Sequence, residues 1–475
     1  MKKPIPFILG PMLFVLLWLT NPFALQSTAA CVIGVVAWML SWWISECVPM
    51  AVTSLLPIIL FPLTGVMSVE KTCVAYGNRF VFLFLGGFII ALAMEKWNLH
   101  RRLALTIVNL TGTSANKIIF GFFLSSYLIS MWISNTATTL MMLPIAASVV
   151  MLLVNEDARL NHKGTKNFAT TIMLSIAYGA SIGGIATLVG SPPNAAMAGI
   201  LSGENFHTQV SFLDWMKLGL PFSIALLVLS YFLLVKILFP NRLGKFELGH
   251  DVIQQELRLL GKWKTQEKRI FILFVSTALL WIAQDPLGKI LKPIGIEFSD
   301  VGVGIISASL LFIFPAGKKI SEPLLEWRDT EKLPWGVLLM FGGGLALASG
   351  FKASGLEDVI NLKMQSLNQA NIFVLLTTLC FVGLVLTALM SNLAMVSLFV
   401  PIVAAIAISV GKAPELFAIP VTIAASCDFM FPMSTPPNAI AYSSGYVKAT
   451  DMLRAGIFLN LLSFGLLALM VWLIL

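Results

Sequence analysis

Charge is what this chain has least of. Of its 475 residues 11% are Asp, Glu, Lys or Arg, whereas 58% are hydrophobic. Soluble domains carry about 25% charged and about 45–50% apolar residues, so a water-soluble globule is excluded and a polytopic membrane protein is implied. Cysteine is sparse as well: Cys31, Cys47, Cys73, Cys380 and Cys427 are scattered without metal-ligand spacing and read as small core residues. No Ser/His/Asp, metal-ligand or nucleotide constellation is present, which argues against an enzyme. His100 and His162 fall in basic loops and read as solvated. The formal net charge is +8, but the basic side chains cluster in loops without a nucleic-acid motif, so they set topology rather than bind nucleic acid.

Against this apolar background the polar breaks stand out. Ser134-Asn135-Thr136 interrupts an apolar run from Ile118 to Val154, and Ser391-Asn392-Leu393 interrupts a second, from Ile372 to Val410. Unpaired polar groups in hydrocarbon cost several kcal/mol each, so these must face protein, water or a ligand. A glycine pair precedes each break at the same interval, Gly86-Gly87 before Ser134 and Gly342-Gly343-Gly344 before Ser391. Downstream come two further look-alikes, Gly190-Ser191-Pro192-Pro193-Asn194 and Ser434-Thr435-Pro436-Pro437-Asn438. The prolines remove helix donors and disfavour helix before them, so a helix should break at each place. One unit used twice, with four helix-breaking polar elements in two pairs, points to a transporter site at a repeat interface.

Spans of about 20 residues are read near 5–23, 29–46, 49–66, 80–97, 169–189, 216–239, 270–284, 301–316, 334–351, 415–433 and 453–475. Eleven spans and two interrupted runs result. The run from Ile5 to Leu19 follows Met1-Lys2-Lys3 but lacks a cleavage signature, so it is read as an uncleaved first span. Leu99 to Thr111 and Gly355 to Leu367 fit surface-lying amphipathic helices. The basic loops 1–3, 96–102, 159–166, 242–269, 318–332 and 448–454 fall on one side if each interrupted run returns to its starting face, and loops 20–28 and 203–212 opposite carry no Lys or Arg. Lys71, Arg79, Lys289, Lys292, Lys352 and Lys363 run against the bias. The positive-inside rule then predicts a cytoplasmic N-terminus, an outside C-terminus and two inverted halves. It does not separate re-entrant hairpins from pairs of full spans.

None of the four breaks contains an acidic residue. They offer hydroxyls, amides and helix ends, whose N–H groups suit oxyanions such as carboxylates, while carbonyl and Ser/Thr/Asn oxygens suit a hard cation such as sodium. A lone Ser-Asn pair in a membrane helix more often bonds its own backbone or a neighbouring helix; it is the duplication that favours function. Asp428 is a functional candidate by its position in an apolar segment. Placed roughly two helical turns from Thr435, about 10 Å along a helix, it reads as a helix-to-helix hydrogen bonder or a wet-face residue before a direct ligand.

These motifs resemble the divalent anion/sodium symporter family, the INDY-type di- and tricarboxylate carriers, over nearly the whole chain. The resemblance implies an all-α polytopic membrane protein with eleven transmembrane helices plus two re-entrant hairpins in two inverted repeats, working as a homodimer in the cytoplasmic membrane by an elevator motion. Scaffold would be 1–111 (spans 1–4 and an amphipathic arm) and 270–367 (spans 7–9 and an arm). Transport domain would be 112–240 (first hairpin, broken fifth span, sixth span) and 368–475 (second hairpin, broken tenth span, eleventh span), with 241–269 a cytoplasmic linker. By motif position Ser134, Asn135, Thr136, Ser191, Ser391, Asn392, Thr435 and Pro436 would surround the substrate carboxylates. Ser130, Ser134, Asn135 and Gly190 in the first half, and Thr387, Asn392 and the backbone near Ser434 to Pro436 in the second, would bind sodium as coupling ion, with no other cofactor.

Leu393 departs from the family pattern, which has threonine there. With a hydroxyl lost, the second half's side-chain oxygens reduce to Thr387 and Asn392, and dicarboxylate exchange is favoured over sodium-coupled dicarboxylate symport. A tricarboxylate or sulfate carrier ranks next, and an anion channel fits inverted repeats less well than alternating access does.

Overall fold

The computed structural model describes residues 4–156, 163–203, 206–243, 247–317, 322–359 and 371–475, with the side chains of 153–156, 247–250 and 285 left out. Helices dominate, and among the described residues the only strand-like pairing is one isolated bridge, Pro315 to Pro323. Among the described residues eight helices are long and apolar enough to cross a membrane, among them Ser27–Ser45, Lys163–Ala186, Phe212–Leu238, Trp335–Ala353 and Ala449–Ile474. Six further apolar helices are shorter. Helical apolar segments appear wherever the hydropathy predicts a span.

Each interrupted run folds as two helices meeting at the polar break: Ala115–Ser130 with Asn135–Glu156, and Ile372–Thr387 with Asn392–Ser409. Serine explains the restart. Ser134 Oγ accepts the Ala137 amide at 3.2 Å and Ser391 Oγ the Ala394 amide at 3.3 Å, so each tip serine satisfies an orphan N–H of the new helix. The proline breaks behave as predicted. Lys163–Ala186 stops and Pro192–Ser202 begins; Pro414–Ala425 stops and Pro436–Ser443 begins. Proline in a first turn forfeits only a donor that had no partner there.

The helix Lys163–Ala186, buried throughout from Phe168 to Ala186, is the central post. It packs against both arms of the first tip and against Pro436–Ser443 of the second half. Small residues permit this contact: a side chain at Gly179 would put its Cβ 2.7 Å from the Phe123 carbonyl oxygen. The two glycine pairs serve similar close approaches rather than the site. Gly86 lies against the Gly304 backbone, Gly343 against Ser54, and Gly342 against the Tyr76 ring.

Segments predicted to lie on one face do meet. Lys96 pairs with Asp329 at 2.6 Å, Arg101 with Glu256 at 2.5 Å, and Trp97 Nε1 donates to the Leu324 carbonyl. Asn167 Nδ2 donates to the Pro240 carbonyl, and Thr170 Oγ1 to that of Tyr446. The basic segments around 96–102, 163–170, 240–267, 322–332 and 446–448 thus gather at one end.

Three expectations change, and the linker segment gains a helix. His100 is buried, 8% exposed, with Nδ1 at 3.0 Å from the Met94 carbonyl, because Leu99–Thr111 docks its apolar stripe and carries the ring inward. Cys73 is exposed and Cys47 only partly buried, whereas the other three cysteines are core residues as expected. The segment 241–269 contains a helix, Glu247–Leu260, which packs on the arm Leu99–Thr111. Asp428 is not helical, since the helix ends at Ala425. His162 and most of the second amphipathic stretch, residues 360–367, lie outside the described residues.

Candidate functional site

The tips and the proline breaks come together. A cavity of about 580 Å³ is lined by Ser134, Asn135 and Thr136 from the first tip, Ser191 to Pro193 from the first proline break, Ser391 to Leu393 from the second tip and Ser434 to Pro437 from the second break. All eight residues expected around a substrate, Ser134, Asn135, Thr136, Ser191, Ser391, Asn392, Thr435 and Pro436, are on its wall. The size lies within the range of small-molecule sites, about 300–1,000 Å³.

Its electrostatics follow from the backbone. Four helices, Asn135–Glu156, Pro192–Ser202, Asn392–Ser409 and Pro436–Ser443, start at this cavity, and none has an acidic residue in its first turn. Each helix N-terminus carries about half a positive charge. Four together, with the Asn135 and Asn392 side chains and the hydroxyls of the wall, form an anion site able to hold more than one oxyanion group.

Behind each tip lies a cluster of oxygens. Ser130 Oγ, fully buried, donates to Asn135 Oδ1 at 2.6 Å, and Thr387 Oγ1, also fully buried, meets Asn392 Oδ1 at 2.8 Å and the Ala425 carbonyl at 2.7 Å. Asn194 and Asn438 brace the proline breaks in the same way. Asn194 Nδ2 donates to the carbonyls of Gly184 and Thr187, ten and seven residues back, and Asn438 Nδ2 to those of Asp428 and Phe431, again ten and seven back. Gly190 is glycine because a Cβ there would sit 2.8 Å from the Gly184 oxygen and 3.0 Å from the Met131 oxygen. Ser130, Ser134, Asn135 and Gly190 therefore share one neighbourhood, and Thr387 and Asn392 another. Oxygen-only donor sets of this kind fit a hard cation. Among the described residues no His/Cys/Asp/Glu group could hold a transition metal.

The cavity wall also includes residues that the motif reading did not single out. Glu95 and Lys332 reach it from the basic end of the molecule, and Trp132, Met50, Phe88 and Met340 supply apolar wall. Leu393, 6% exposed, is part of the same lining.

A polytopic membrane protein whose two halves repeat one tip and one proline break around an anion-fitting cavity is a carrier in construction. Residues 6–475 match the family described as the sodium:sulfate symporter transmembrane region, and the chain belongs to this family, the divalent anion/sodium symporters. Members are transporters, not enzymes. The chain is 38% identical over 480 residues to the sodium-dependent dicarboxylate transporter SdcS of Staphylococcus aureus (strain USA300), covering 99% of this chain and 92% of that one. It is likewise 38% identical over 472 residues to the protein of the same name from Staphylococcus saprophyticus, covering 98% and 90%.

Proposed function

We propose that this protein is a secondary active carrier of C4-type dicarboxylates, such as succinate, malate or fumarate, across the cytoplasmic membrane, coupled to sodium. The observation that carries the reading is the convergence of four acid-free helix N-termini on one cavity, which suits a small dianion. Support for sodium comes from the relatives' sodium dependence and from the paired oxygen clusters, Ser130 with Asn135 and Thr387 with Asn392. Ser134, Asn135, Thr136, Ser191, Ser391, Asn392, Thr435 and Pro436 would bind substrate. Ser130, Ser134, Asn135, Gly190, Thr387 and Asn392 would hold the ions.

In this reading the two interrupted runs are re-entrant hairpins among eleven spans. The hairpins and broken helices form the moving domain of an elevator, and residues 1–111 and 270–367 form the scaffold of a homodimer. The basic end is read as cytoplasmic in this scheme, and Glu95 and Lys332 are the charged side chains of the cavity wall nearest to it. Leu393 favours a second reading, exchange of one dicarboxylate for another, because it removes a hydroxyl beside the second cluster.

Labelled succinate uptake into proteoliposomes separates the two. Symport gives uptake into empty vesicles that requires inward sodium; exchange gives uptake that requires internal dicarboxylate and ignores the cation. Failure of succinate, malate and fumarate to compete in either format would reject the substrate class.

A further inference from the structure

We infer that Asp428 is an anionic ligand for a monovalent cation beside the second tip, and that sodium is that cation. The inference deepens the sodium-coupled reading above and rests on it for the identity of the ion. Asp428 is fully buried, and neither carboxylate oxygen has a hydrogen-bond partner among the described residues. The ion pairs of the described residues do not involve it. The groups that face it are the Ser434 hydroxyl, the Met430 amide, the Cys427 thiol and, from helix Lys163–Ala186, the Tyr178 phenol. Two of these are committed elsewhere: Ser434 Oγ donates to the Phe431 carbonyl at 2.7 Å, and Tyr178 Oη to that of Phe429 at 3.0 Å.

An ionised carboxylate in such a place is strongly disfavoured unless paired. Asn438, whose amide holds the Asp428 carbonyl, leaves its own fully buried Oδ1 unpartnered too. A buried carboxylate and amide oxygen in surplus over the few donors that face them, the Met430 amide and the Cys427 thiol among these, form a set that a hard cation completes.

The repeat shows where such a cation would sit. The matching ten-residue and seven-residue bonds of Asn194 and Asn438 make Asp428 the counterpart of Gly184, and Ser434 that of Gly190. A Cβ on Gly184 would lie 2.7 Å from Asn135 Oδ1, so the first repeat fills that space with the tip asparagine alone. Asn392 is the second tip's counterpart of Asn135, and Ser434, which faces Asp428, lines the cavity together with it. Where the first repeat has two glycines, the second therefore has a carboxylate and a hydroxyl, and Ser434 lines the substrate cavity. A negative charge here compensates for the hydroxyl that Leu393 lacks.

The test uses the full-length protein in proteoliposomes, with Asp428→Asn and Asp428→Ser measured against the parent. Losing a charged cation ligand is expected to raise the half-saturating sodium concentration for succinate uptake about tenfold or more, with the succinate dependence at saturating sodium little changed. A sodium response within about twofold of the parent in both variants, less than half a decade, overturns the inference. If parent uptake ignores sodium, the coupling reading fails, and thermal unfolding without substrate, in sodium against choline, then decides Asp428 alone. Sodium stabilisation that is present in the parent and lost in both variants supports it; equal responses, or none in any, overturn it.

Discussion

Arg102 and Glu267 form a buried ion pair at 3.1 Å, their side chains 6% and 2% exposed, that ties the amphipathic helix Leu99–Thr111 to the first long helix of the second half, Thr265–Ile282. The guanidinium also donates to the carbonyls of Leu260 and Gly261, and it stacks 5.5 Å from the Trp263 ring. One arginine thus fixes the C-terminal end of the segment joining the repeats.

A buried charge stripped of its partner costs about 3–5 kcal/mol, whereas apolar replacement of both costs far less. Arg102→Met or Glu267→Gln should lower the unfolding temperature markedly, and the double variant Arg102→Met/Glu267→Met should recover much of the loss. Thermal unfolding in detergent measures this. Additive losses would show that the pair contributes through packing rather than charge.

The tip asparagines are expected to matter to transport and not to folding. Asn135 Oδ1 accepts from Ser130, Asn392 Oδ1 from Thr387, and both residues line the cavity. Removing a hydrogen bond to a charged ligand costs about 1.5–3 kcal/mol, so Asn135→Ala or Asn392→Ala should each lower succinate uptake by roughly one to two decades. Unchanged elution of the purified variants would verify the fold, and near-normal uptake in both would remove the tips from the site.

Much of this site is legible because polar residues are conspicuous in an apolar chain. Ser134-Asn135 and Ser391-Asn392, with the two Pro-Pro-Asn breaks, reveal both its members and its duplication. Glu95 and Lys332 escape a motif reading because one ends a helix and the other lies in a basic segment, where charges are ordinary. The environment of Asp428 is not legible because the apolar run continues to the proline break while the helix does not: the chain leaves the helix after Ala425, and Asn438 captures the loosened carbonyls. Burial of His100 and Arg102 depends on where the amphipathic helix docks, which its own periodicity does not specify.

Orientation can be read by labelling. The positive-inside rule places the basic end in the cytoplasm, and His207 lies exposed in the oppositely placed loop 203–212, which carries no Lys or Arg. With the native cysteines replaced, His207→Cys should react with an impermeant maleimide on whole cells and Lys245→Cys should be protected until the membrane is opened. The reverse pattern would invert the whole chain.

Leu393 offers the sharpest test of how the second half handles its cation. It is buried, it lines the cavity beside Asn392, and it stands where the first tip has Thr136, so only a side chain distinguishes the two tips at this position. Leu393→Thr returns a hydroxyl oxygen to the second cluster. The apolar area lost faces the cavity in part, so the stability cost should stay near about 1 kcal/mol, the centre of the range for single substitutions. Under sodium coupling the added oxygen should lower the half-saturating sodium concentration by about threefold to tenfold, the size of one neutral hydrogen-bond-strength contact. Under exchange the variant should instead acquire sodium-dependent uptake into vesicles that contain no dicarboxylate, which the parent lacks. Uptake with and without internal succinate, across a sodium series at constant ionic strength, distinguishes these outcomes. A variant identical to the parent in both formats would mean that position 393 touches neither ion nor coupling, and that the second half's thinner oxygen set does not govern the mechanism.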